Sequence, residues 1–110
     1  MAVFVTTNGI TSTRLLAMIK QEITNYNVRT WQFNSATGFV HITKSGEWNK
    51  GGYLEIQDSS TPGELVLYVK YVPGSKCPVG TFGVLNGRFA EMIANHFRDH
   101  YTSIVIKDLR

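Results

Sequence analysis

The spacing of hydrophobic positions changes along the chain, and each change marks an element. β-branched residues dominate positions 3–7, as expected of a short strand, and Asn8-Gly9 breaks that run. Leu15, Leu16, Ile19 and Ile23 then recur every three or four residues, which places them on one face of a helix. Thr11 or Ser12 is positioned to cap that helix by accepting from the free N–H groups of its first turn, and positions 25–27 end it. Four strand-like runs follow at 28–34, 39–44, 52–58 and 64–71. Pro62-Gly63 separates the last two as a hairpin turn, with Pro fixing φ at one central position and Gly supplying a positive φ at the next. Phe82, Leu85, Phe89, Ile93 and Phe97 give a second helical stripe over 82–100, and Ile104-Val105-Ile106 marks a last strand at 103–107.

The resulting order is β-α-β-β-β-β-α-β. Two apolar helical stripes are buried most simply when both helices pack on one face of a mainly antiparallel sheet. The expectation is a single two-layer α+β domain over 1–110, with Leu16, Ile19, Ile42, Ile56, Leu67, Leu85, Phe89, Ile93 and Phe97 among the most buried residues.

Alternation assigns faces within the strands. Val40, Ile42, Leu54, Ile56, Leu65, Leu67 and Val69 are expected beneath the helices. The opposite face then carries Phe39, His41, Tyr53, Glu55, Gln57, Val66, Tyr68 and Lys70, a mixture of rings and polar groups that mere solvation does not require. The run at 28–34 reads either way, and the area of two large rings favours Trp31 and Phe33 in the core.

Composition narrows the function classes. A chain of 110 residues with 43% hydrophobic and 17% charged residues has apolar material for one core and no disorder signature. The N-terminus lacks the basic and apolar regions of a signal peptide, and no apolar run approaches the ~18 residues of a membrane span. Cys77 is the sole cysteine, so no internal disulfide forms, which fits a cytoplasmic protein. The net charge of +3 is spread along the chain rather than clustered, so it permits an acidic partner without demanding one.

Candidate chemistry is sparse. His96 and His100, four apart on the second helix, share a face and are the candidate metal ligands, but no third ligand is evident. Cys77, beside Lys76 and before a helix, is the candidate nucleophile, since both neighbours lower a thiol pKa. Gly74, Lys76 and Gly80 could cradle an anion, but their spacing matches no nucleotide-binding loop. Gly83, Gly87, Ala90 and Ala94 form a small-residue stripe suited to close approach of the chain's own sheet, its first helix or a second copy. Val3-Phe4-Val5 and Gly38-Phe39-Val40 resemble a fragment of the RNA recognition motif. The basic residue and second aromatic of the longer signature are absent, and the hairpin at 52–71 departs from that fold, so no family is assigned.

The leading reading is a non-enzymatic module that binds another protein through Phe39, His41, Tyr53, Tyr68 and Lys70, with Trp48 in the Gly-rich loop at 45–51. No cofactor or membrane partner is expected. A single-stranded nucleic-acid binder using the same face, with bases stacked on rings and cations on phosphates, is the second reading. A homodimer that buries the face, and a small enzyme built on Cys77, complete the set.

Overall fold

A computed structural model describes residues 1–43, 46–47, 52–59, 61–72, 74 and 79–108. Its strands are β1 (Ala2–Thr7), β2 (Trp31–Asn34), β3 (Gly38–Thr43), β4 (Gly46–Glu47), β5 (Gly52–Gln57), β6 (Glu64–Tyr71) and β7 (Tyr101–Lys107). The helices are α1 (Ser12–Thr24), α2 (Val79–His96) and a short 3-10 turn, Arg98–His100. The strands form one antiparallel sheet in the order β2-β3-β5-β6-β1-β7, with two-residue β4 also paired to β3. Apart from β4, which falls in the expected loop, the element order is that read from the sequence.

Both helices lie on the same side of the sheet. Leu15 and Ile19 of α1 and Leu85, Phe89, Met92 and Ile93 of α2 share one core with Val3, Val5, Leu54, Leu65, Leu67 and Val69. Phe97 joins them just beyond α2. Leu15 is the buried residue of the first helix where Leu16 was expected, and Leu16 and Ile56 are half-buried at the margin. Thr11 is the cap of α1, its hydroxyl accepting from the Arg14 N–H at 3.1 Å. The turn around Pro62 braces the same end of α1, because Ser12 N donates to Pro62 O at 2.9 Å. Gly63 has no positive φ there. The turn closes by Glu64 N donating to Thr61 O at 3.0 Å, which fits a type I turn and not the positive-φ turn expected.

The β2–β3 hairpin sets faces differently from simple alternation. Trp31 stands opposite His41 and Phe33 opposite Phe39. Directly opposed residues of an antiparallel pair share a face. Trp31 is in the core as expected, so His41 and Phe39 turn toward the helices with it, and Val40 and Ile42 turn away. Phe39 is completely buried and packs on Phe89 at a centroid separation of 5.4 Å. Gly38 begins β3 at φ +149°, and a Cβ there would collide with the Leu54 carbonyl oxygen of β5. Only glycine lets the two backbones meet in this register.

The small-residue stripe of α2 has a different setting from the one expected. Gly83 and Gly87 are exposed, and a Cβ at either would meet nothing within 4 Å. Among the described residues, no other element's backbone approaches them.

Two stability outcomes follow. Phe89→Ala empties the centre of the aromatic core and should lower unfolding free energy by about 3–5 kcal/mol in urea titration. Gly83→Ala and Gly87→Ala should each raise it by up to about 1 kcal/mol, because open space meets the added methyl and the helix gains propensity.

Candidate functional site

The side of the sheet away from the helices carries an ordered set of side chains. The registers place Gln57, Val66, Phe4 and Val105 in one row across β5, β6, β1 and β7. Glu55, Tyr68, Ala2 and Lys107 form the next row, and Tyr53 stands opposite Lys70 beyond it. No described helix covers these rows, because the contacts of both helices are with the opposite face. Small side chains are nevertheless shielded: Ala2 and Val66 are buried between larger neighbours in their rows.

Polar contacts organise the margin of this surface. Gln57 Nε2 donates to Glu55 Oε1 at 2.8 Å. The Lys107 ammonium sits 4.9 Å from the centre of the Phe4 ring, within cation–π range. The face thus has Phe4, Val66 and Tyr68 on its inner strands and Val105 on β7 at the edge, with Lys70, Lys107 and Glu55 beside them.

Of the expected binding residues, Tyr53, Tyr68 and Lys70 are brought together here. Phe39 and His41 are not, since the hairpin register sends them to the helix side. Trp48 and Cys77 lie outside the described residues. Phe4, Val105 and Lys107 were not anticipated. Their signal was the alternation of β1 and β7, but the neighbours that join them to Tyr68 depend on which strands pair.

His41 has a distinct environment. It meets Trp31 edge-on at 5.0 Å and borders a cavity of about 410 Å³ with Thr30, Arg88, Glu91, Asn95 and His96. Arg88 and Glu91 pair across one helical turn at 3.3 Å, both well exposed, so the pair adds little stability. Burial, and after it the Arg88 guanidinium, hold the His41 imidazole below its ordinary value of 6.5, with Glu91 opposing. The environment therefore favours the neutral form of the ring.

The candidate metal pair also changes setting. α2 ends at His96, and His100 falls in the separate 3-10 turn. The four-residue helical spacing that would aim both rings alike is thus broken. Buried Phe97 anchors the chain between them. Both imidazoles border a second cavity of about 440 Å³ with Arg14, Gln21 and Glu22. Among the described residues no group of three or more His, Cys, Asp or Glu side chains gathers to hold a metal.

The fold and face define a two-layer α+β protein with one sheet surface that no described helix covers. No described helix is long and apolar enough to cross a membrane. No protein-family model matches the chain, and neither does any curated protein or any solved structure.

The His41 environment predicts a pH response. A histidine whose folded pKa lies below its unfolded value resists protonation in the fold. Stability is then full above pH 6.5 and falls as the pH drops through the folded value, where the unfolded chain binds the extra proton. NMR titration of the His41 ring should give a midpoint below 6.5, and Arg88→Ala should move it back upward.

Proposed function

We propose that this chain is a non-enzymatic binding module whose open sheet face meets a protein partner. The observation that carries this reading is the pair of rows across β5, β6, β1 and β7, which gathers apolar groups and sets charged groups beside them. Protein interfaces likewise combine a dry apolar centre with polar groups around it. Tyr53 and Tyr68 offer large area at low conformational cost, and each has a phenolic hydroxyl for a directed hydrogen bond. Lys70 and Lys107 with Glu55 give the face charges of both signs, which suits a mixed protein surface better than a uniformly anionic strand. The single cysteine favours a reducing, cytoplasmic setting.

A second reading rests on the same rings. Phe4, Tyr53 and Tyr68 beside two lysines are groups on which single-stranded nucleic acid could stack. Against it, the Lys107 ammonium already occupies one face of the Phe4 ring.

Salt separates the two readings. Contacts through packed rings survive moderate salt, whereas phosphate contacts weaken steeply as counterions are released. In capture from lysate at low and high salt, the wild type should retain a protein at high salt, and a Tyr53→Ala, Tyr68→Ala double variant should lose it. Recovery of single-stranded nucleic acid at low salt only would establish the second reading. A folded double variant that binds everything the wild type binds would rule out the face as the site.

A further inference from the structure

The two edges of the sheet are unlike. The β2 edge is four residues long and has exposed polar Gln32 and Asn34, so it is a poor template for a further strand. The β7 edge is seven residues long, and its sequence Tyr-Thr-Ser-Ile-Val-Ile-Lys has high strand propensity, no proline and no charge before its last position. Its pairing to β1 is regular from Ser103 to Lys107, and the register shift lies beyond that stretch at Thr6/Thr7. On the far side of β7, alternate N–H and C=O groups point away from β1, and among the described residues no strand lies beside them. Val105 and Ile106 are each 43% exposed, one on each face of the sheet. Such an edge invites another strand.

We propose that β7 pairs antiparallel with β7 of a second copy of this chain, about a two-fold axis through Val105. The pattern of the regular stretch selects that occupant. With Val105 opposite Val105, Ile104 stands opposite Ile106 twice and Ser103 opposite Lys107 twice. Every apolar residue then meets an apolar one, every polar residue meets a polar one, and no like charges are opposed. A partner strand of unrelated sequence has no reason to reproduce this palindrome, whereas a second copy does so by symmetry. A two-fold axis relating antiparallel neighbours stands perpendicular to the sheet. The helices of both copies therefore lie on one side, and the two open faces run together on the other. Tyr53 and Tyr68 of that face lie on β5 and β6, away from this edge.

The test is sedimentation velocity over a range of concentrations, with circular dichroism as the folding control. Wild type should sediment with twice the mass of the chain. Val105→Lys alone and Val105→Glu alone each put like charges on the axis and should weaken the dimer roughly tenfold or more. An equal mixture of the two variants should restore it, because opposite charges then meet. The Tyr53→Ala, Tyr68→Ala variant should remain dimeric. Amide exchange of β7 in the wild type should slow as concentration rises, a reading that needs no variant. A monomeric wild type at high concentration overturns the proposal. So does a dimer that survives Val105→Lys, a mixture that stays monomeric, loss of the dimer in the tyrosine variant, or β7 exchange that ignores concentration.

Discussion

The structure depends on burying three aromatic rings in one place, with a fourth, Phe33, packed half-buried against them. Trp31 meets Phe89 edge-on at 5.3 Å, Phe39 meets Phe89 at 5.4 Å, and Phe33 meets Phe39 at 5.1 Å. This cluster ties the β2–β3 hairpin to α2. Rings of this size remove more apolar area from water than the aliphatic side chains that compete for the same face. Once Trp31 is inside, cross-strand pairing leaves β3 no freedom, and the positions of Phe39, His41, Val40 and Ile42 follow. Lys20 completes the arrangement from α1, its ammonium 4.1 Å from the centre of the half-buried Phe33 ring.

This explains how much of the molecule was legible in the sequence. The elements and their order came from period and turn residues, and the faces of β5 and β6 came from alternation, because the aliphatic residues occupy every second position in each, Val66 apart. In β3 both alternating sets are apolar or aromatic: Phe39 on one side, Val40 and Ile42 on the other. Alternation within that strand carries no preference, and the missing information was the hairpin register, which Trp31 supplies from the neighbouring strand. The end of α2 was misjudged for a related reason. Phe97 continues the apolar spacing, so the pattern runs on, but its backbone at φ −132°, ψ 36° has already left the helix. Period records which side chains reach the core and does not record how the backbone carries them there.

The same distinction applies to the candidate site. Tyr53, Tyr68 and Lys70 were found because they lie on adjacent hairpin strands, where neighbours in sequence are neighbours in space. Phe4, Val105 and Lys107 belong to the same surface through β1 and β7, which are far apart in the chain. Two chemically different surfaces result. The open sheet face is aromatic and charged at its margin, and the groove between α2 and the β2–β3 hairpin holds an imidazole whose neutral form burial favours, next to an ion pair. His41 moved from the first to the second with the register of one hairpin.

The place of β1 governs how the molecule is assembled. Val3 pairs with Leu67 on one side and Ile106 on the other, so β1 lies between two strands far from it in the sequence. Both of its edges wait for distant chain to arrive, and the loop entropy of each closure is spent before any ladder bond repays it. Sheets built on such non-local pairing fold on the slow side, from milliseconds to seconds for domains of this size. The antiparallel register also sets Ala2 beside Lys107. Linking β7 to β1 through a short turn and opening the chain elsewhere would turn this long-range pairing into a local hairpin, giving the same fold a faster route.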